Sequence, residues 1–343
     1  MRSVPTKKWH LFRAWAGGHP VWCGWQVTYR CNFRCRFCPY WAQPSAPEAE
    51  PSVSACADGA RKLSSLGSLL VSLAGGEPLL RTDVPEIVSV VARWHLTFLT
   101  TNGWLVTPEL ARELMQAGLW GVSVSIDYAD PARHDRRRGM VGAWEQAWRA
   151  VEMFRDARRH SFQRVNVIAV LMDDNIDQME PLVEMARRRG AYFMVQPYGS
   201  LKTRSAAYAH NDGPVSPRLL ALHARYRNFL SNPGYLRQFD RYLQGGVPGC
   251  KAGRAFFNID ETGDIAICVE KRERPVANLY RDHITVIRQR LAAAARGNAC
   301  TGCWYNCRGE VESLYRPWSF LYSARTSVPD LGKVRDGRRI AGV

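Results

Sequence analysis

A chain of 343 residues with 46% apolar and 11% aromatic content can bury a large core, which excludes disorder as its general state. Its net charge of +16 is carried mostly by arginine. The basic triplets 136–138 and 187–189 are too short for a nucleic-acid tail and suit helix ends instead. No apolar run is long enough to cross a bilayer and no signal-peptide pattern opens the chain, so it reads as cytoplasmic. In that compartment ten cysteines argue for metal rather than disulfides.

Residues 1–20 carry Lys7, Lys8, Trp9, Leu11, Phe12 and Trp15 before Gly17-Gly18. They predict a short amphipathic helix that acts as a lid on the barrel's bottom, in preference to a membrane-surface anchor. Residues 25–29 read as a first strand that feeds Cys31, Cys35 and Cys38 in C-x-x-x-C-x-x-C spacing. A loop of this kind can turn three thiolates onto one iron–sulfur centre and leave one iron free for chemistry. A helix over 52–67 and a buried strand over 69–74 follow, and Gly75, Gly76, Glu77 and Pro78 come directly after that strand. Two glycines there let backbone approach a ligand, while the carboxylate can accept from a cation.

The rhythm continues with helices over 84–94, 108–118, 143–159 and 175–189. Strands over 96–100, 122–127, 165–171 and 192–197 alternate with them. Six such units imply right-handed crossovers and a parallel sheet, with chemistry at the carboxyl ends of the strands. Asn102, Ser125 and Asp127 lie at those ends, and Asn166 and Gln196 are weaker candidates to line the cavity. His134 reads as a surface or loop histidine. Residues 198–217 read as a loop over the mouth, and helices over 216–231 and 233–243 lead to a second cysteine region.

In that region Cys250 and Cys268 are brought together by a hairpin about the turn 260–263, and Cys300, Cys303 and Cys307 follow a helix over 282–296. A structural zinc ribbon is the plain alternative for these five thiols. Cys23 and Cys56 have no partners in the pattern. Residues 314–322, with Trp318, Phe320 and Tyr322, predict a helix packed on the barrel before a basic tail.

The first cysteine spacing, with Phe37 just before Cys38, resembles the signature of the radical S-adenosylmethionine (SAM) superfamily. The Gly-Gly-Glu-Pro stretch, Asn102, Ser125, Asp127 and the run from Asp135 to Gly139 with Arg138 also resemble that family's SAM contacts. The resemblance implies an α/β fold, a partial (β/α)6 TIM-type barrel with a small C-terminal cysteine-rich domain. It implies a 4Fe–4S cluster on Cys31, Cys35 and Cys38, with SAM on the open iron and cleaved to a 5′-deoxyadenosyl radical. The second set resembles the twitch and SPASM extensions, and five cysteines permit one auxiliary 4Fe–4S cluster. Cys250 and Cys268 are its surest ligands; by the twitch spacing Cys307 is the one to leave out among Cys300, Cys303 and Cys307.

The expected divisions are 1–20, the barrel 21–200, a helical connector 201–248, the auxiliary domain 249–310 and a tail 311–343. The resemblance implies a radical SAM oxidoreductase or epimerase acting on a small molecule (sugar- or aminocyclitol-like, anionic or lipid-linked). A flavodoxin- or ferredoxin-type donor would supply its electrons. A peptide maturase is the alternative, slightly disfavoured because no peptide-binding wing precedes residue 20. No cobalamin and no nucleic acid are expected; the different class to weigh is a non-catalytic iron–sulfur or zinc protein that binds nucleic acid.

Overall fold

The computed structural model describes residues 2–42, 45–67 and 69–315. Its strands are β1 (Trp22–Thr28), β2 (Leu70–Gly75), β3 (Leu96–Thr101), β4 (Gly121–Ser125), β5 (Arg164–Leu171), β6 (Tyr192–Pro197), β7 (Phe256–Ile259), β8 (Asp264–Ala266) and β9 (Ala277–Asn278). They form one sheet in the order β6-β5-β4-β3-β2-β1-β7-β8-β9. The first six pair in parallel in chain order, as six βα units require. Val71, Leu73, Leu99, Val122, Val124, Val165 and Val167 are buried along them, as befits strands covered on both faces. The architecture is the α/β partial barrel expected, carrying a cysteine-rich C-terminal region.

That region is not set apart from the barrel. β7 pairs in parallel with β1, Trp22 opposite Phe256 through Trp25 opposite Ile259, and β8 and β9 continue antiparallel. Gln26 Nε2 donates to Asn258 Oδ1 at 2.9 Å, and Tyr29 N donates to Glu261 Oε2 at 2.9 Å. The strand that launches the first cysteine loop is therefore also the seam to the second cysteine region.

The helices are α1 (Val4–Ala16), α2 (Val53–Leu63), α3 (Val84–Ala92), α4 (Pro108–Gln116), α5 (Pro131–Arg138), α6 (Ala143–Asp156) and α7 (Met179–Arg188), followed by shorter pieces. α1 lies at the bottom of the barrel, with Arg2 N donating to Arg93 O and Lys8 over the Trp120 ring. Its orientation differs from expectation: Lys7 and Ala14 are buried, while Trp9 and Phe12 face outward. Lys7 reaches Ala92 O, so its cation caps the carboxyl end of α3. Among the described residues no helix is long and apolar enough to cross a membrane.

Three other elements differ from the sequence reading. α5 was not among the expected helices; Asp130 caps it by accepting from Arg133 N at 2.7 Å, and Gly139 ends it at φ 66°. The helix expected over 216–231 stops at Arg225, because 228–230 pairs instead with the exposed edge of β6: Phe193 N donates to Asn228 O, and Leu230 N to Phe193 O. The second expected helix is split into Pro233–Leu236 and Phe239–Gly245. A further helix, Asn306–Ser313, follows the last cysteines. Trp318, Phe320, Tyr322 and the basic tail lie outside the described residues.

Candidate functional site

The carboxyl ends of β2 to β6 open into a cavity of ≈ 180 Å³. Cys31, Cys35 and Cys38 line it together with Gly75, Gly76, Asn102, Ser125, Arg138 and Gln196. Burial pushes the Cys31 thiol up to about 11 and the Cys35 thiol up to about 12, while the Arg138 guanidinium pulls both down. Each also feels the Cys38 thiol. Cys31 and Cys35 thus share one pocket with Cys38, and ligation would hold the two as thiolates there, because a metal-bound thiol loses its proton outright. Among the described residues no group of three His, Cys, Asp or Glu side chains could hold a single metal ion. Ligands on one zinc stand roughly 4 Å apart at Zn–S bonds of about 2.3 Å. A cubane instead takes each thiolate on a different iron, so its ligands stand farther apart. Three thiols on the wall of one cavity are the donor set such a cluster takes.

The glycine turn has a structural reason of its own. A Cβ on Gly75, whose φ is 147°, would lie 1.8 Å from Thr28 O, and one on Gly76 would lie 2.1 Å from Arg30 O. Gly76 N donates to Thr28 O and Glu77 N to Arg30 O, which fixes the start of the cysteine loop against the end of β2. The glycines are needed for this chain crossing, whatever ligand their backbone also meets.

Glu77 does not line the cavity. Its buried carboxylate accepts from Asn102 N at 2.7 Å, Thr101 Oγ1 at 2.8 Å and Leu79 N at 3.1 Å. It ties the end of β2 to the Thr-Asn-Gly turn after β3, and burial raises it to about 7 against the pull of those donors. Pro78 opens the short turn that follows and is buried, outside the lining. Asn102 faces the cavity and donates through Nδ2 to Asn32 Oδ1 at 2.8 Å, which links the turn to the cysteine loop.

Asp127 is likewise fully buried behind the lining rather than in it. It accepts from Val170 N at 2.9 Å and is ion-paired with Arg138. Arg138 holds its guanidinium carbon over the Phe37 ring, 5.3 Å from the ring centre, and does line the cavity. His134, expected at the surface, is buried and accepts from Asp127 N at 3.3 Å through Nδ1; burial holds it neutral. Asn166 lies inside the sheet, donating to Ser123 Oγ, and is not part of the lining; Gln196 is.

In the second set, Cys303 feels Cys250 and Cys268, and Cys307 feels Cys303, Cys268 and Cys250. Burial is the main cause that raises all four thiols, to about 11 for Cys268 and about 12 for Cys303. Cys300 N donates at 3.3 Å to Asn298 Oδ1, which caps the turn before it. Cys250, Cys268, Cys303 and Cys307 thus lie within electrostatic reach of one another, which brings in the Cys307 that the twitch spacing left out. The reason is the unforeseen helix Asn306–Ser313, which turns Cys307 inward. Fully buried Arg308 on this helix binds Glu312 at 3.0 Å, Cys303 O at 2.7 Å and Val247 O at 2.6 Å. Its Arg-x-x-x-Glu spacing was the available signal. Tyr305, from the same helix start, and Lys202, after β6, reach the first cavity and were both missed.

Residues 25–186 match the Radical SAM superfamily model. AdoMet-dependent heme synthase of Methanosarcina barkeri is 34% identical over 173 residues, which is 50% of this chain and 48% of that protein. Mycofactocin maturase MftC of Mycolicibacterium smegmatis is 28% identical over 260 residues, 73% of this chain and 64% of its own. The chain spans from about half to under two thirds of the length of these relatives. In fold it is similar to Streptococcus suis SuiB bound to precursor peptide SuiA (TM-score 0.66, 16% identity, 85% of this chain and 70% of that one). It is also similar to anSMEcpe with bound AdoMet (TM-score 0.63, 14% identity, 90% and 98%).

Proposed function

From a chain that carries a radical SAM domain over residues 25–186, we propose a peptide-modifying enzyme with one auxiliary cluster. The observation that carries the first part is the meeting of Cys31, Cys35 and Cys38 with the Gly75-Gly76 backbone, Asn102, Ser125 and Arg138 in one cavity. The 4Fe–4S cluster and SAM of this family supply, when bound, one electron and a hydrogen-abstracting 5′-deoxyadenosyl radical. Cys31, Cys35 and Cys38 would hold the cluster. The Gly75-Gly76 backbone and Asn102 would meet the amino end of SAM, and Ser125 and Arg138 its hydroxyl and carboxylate groups. Asp127 and Glu77 act one layer back: Asp127 fixes Arg138 as its ion-pair partner, and Glu77 fixes the Asn102 turn by accepting hydrogen bonds from it. Cys250, Cys268, Cys303 and Cys307 would hold the auxiliary cluster, which β7 fastens to the barrel through β1.

A peptide is favoured over the small molecule expected from sequence by the company the chain keeps. Mycofactocin maturase is similar over 73% of this chain, and the fold neighbours SuiB and anSMEcpe were both captured with peptides. Short peptides encoded beside this gene, incubated with reconstituted enzyme, SAM and reductant, test the assignment. A modified peptide whose mass change requires both SAM and Cys35 supports it. Unchanged peptides, with turnover of a sugar or aminocyclitol instead, would contradict it.

A further inference from the structure

Lys202 lies within electrostatic reach of both cysteine sets, Cys38 in the first and Cys307 in the second. It lies on the short helix Ser200–Thr203 just after β6 and lines the same cavity as Cys31, Cys35 and Cys38. Its ammonium sits 4.7 Å from the centre of the Tyr40 ring and 5.7 Å from that of Tyr305. Tyr40 is two residues beyond Cys38, and Tyr305 is two residues before Cys307. The loop that carries Lys202 is pressed onto Tyr305: a Cβ on Gly199 would fall 2.1 Å from that ring, whose hydroxyl donates to Gly199 O at 3.4 Å. Among the described residues Lys202 belongs to no salt bridge. Glu270 is within electrostatic reach of it without pairing.

Burial alone would lower the Lys202 pKa. Tyr40, Cys38, Glu270 and Cys307 outweigh that and raise it, so the site is built to keep a cation. Lys202 is half-buried, and a cation held against aromatic faces there is screened less than one in open solvent.

We propose that Lys202 is a counter-charge shared by both cysteine sets, favouring the reduced state of each cluster at once. This rests on the assignment of two clusters above. Reduction adds one negative charge to a cluster, and potentials in such centres follow net charge and neighbouring polar groups. Loss of the ammonium therefore makes both clusters harder to reduce.

The experiment is a redox titration of the reconstituted full chain, followed by the electron paramagnetic resonance of each reduced cluster. It compares wild type, Lys202→Met and Lys202→Arg. Lys202→Met should shift both midpoints to more negative potential, while Lys202→Arg should leave them close to wild type. Unmoved midpoints, or a shift in only one cluster, overturn the proposal, as does a Lys202→Met effect confined to KM for a peptide. A chain that binds only one cluster, or none, would instead show up as missing iron and a missing signal in the wild type. That result would fault the two-cluster assignment rather than Lys202.

Discussion

Arg138 Nε and Nη2 both donate to Asp127 Oδ2, at 2.8 and 2.7 Å, from a guanidinium that also faces the cysteine cavity. Asp127 is fully buried, so the pair is an anchor in low dielectric rather than a surface ion pair. Asp127→Ala should cost about 3–5 kcal/mol, because it leaves a buried cation without its partner. Asp127→Asn should keep the fold and weaken SAM binding. Urea unfolding and SAM titration of the two variants check this; unchanged stability in both would refute the anchoring role.

The second set makes an opposite pair of expectations for two neighbouring thiols. Cys307→Ala should lower the iron content from about eight to about four per chain, whereas Cys300→Ala should leave it at about eight. Iron and sulfide analysis after reconstitution decides the matter. Equal losses in both variants would show that Cys300 also ligates.

Gly76→Ala should disrupt the cysteine loop, because its Cβ would enter the contact with Arg30 O and Tyr29 O, where backbone has nowhere to move. A loss of several kcal/mol, in the range of severe strain and overpacking, is expected. The same substitution at Gly245, which has open space around its Cβ, serves as the control and should be close to neutral. Thermal unfolding compares the two.

His95 is fully buried between Leu69 N, which donates to its Nδ1 at 3.2 Å, and Ala60 O, 2.8 Å from its Nε2. Burial lowers its pKa to about 4 from 6.5. The folded state therefore resists a proton that the unfolded state accepts. Its stabilising contribution is complete above pH 6.5 and is lost as pH falls toward 4, by up to about 3 kcal/mol. The stability advantage of wild type over His95→Gln should shrink across that window. A constant difference between pH 7 and pH 4 would contradict it.

The six strands and the cysteine loop were legible in the sequence because parallel strands read as continuous apolar runs and glycine turns mark their ends. Leu69 to Ala74 followed by Gly75-Gly76 shows both signals at once. The roles of Glu77 and Asp127 were not legible, since a carboxylate at a strand's end looks the same whether it faces a ligand or a backbone N–H. α5 was hidden by its composition: Arg133, Arg136, Arg137 and Arg138 leave no apolar stripe to read. Cys300 and Cys307 could not be ranked because the choice depends on a helix, Asn306–Ser313, with Gly309 inside it and only Val311 as a buried aliphatic. Lys202 was out of reach altogether, because its importance comes from two tyrosines that lie 162 residues before it and 103 residues after it in the chain.

The claim on which all of this depends is that Cys31, Cys35 and Cys38 hold a cluster with one corner open to SAM. Anaerobic reconstitution followed by dithionite and SAM measures it directly. The wild-type chain should release 5′-deoxyadenosine, and Cys35→Ala should release none while keeping the signal of the second cluster. A wild-type chain that carries its full iron yet leaves SAM intact, or a Cys35→Ala variant that cleaves it equally well, would contradict the account.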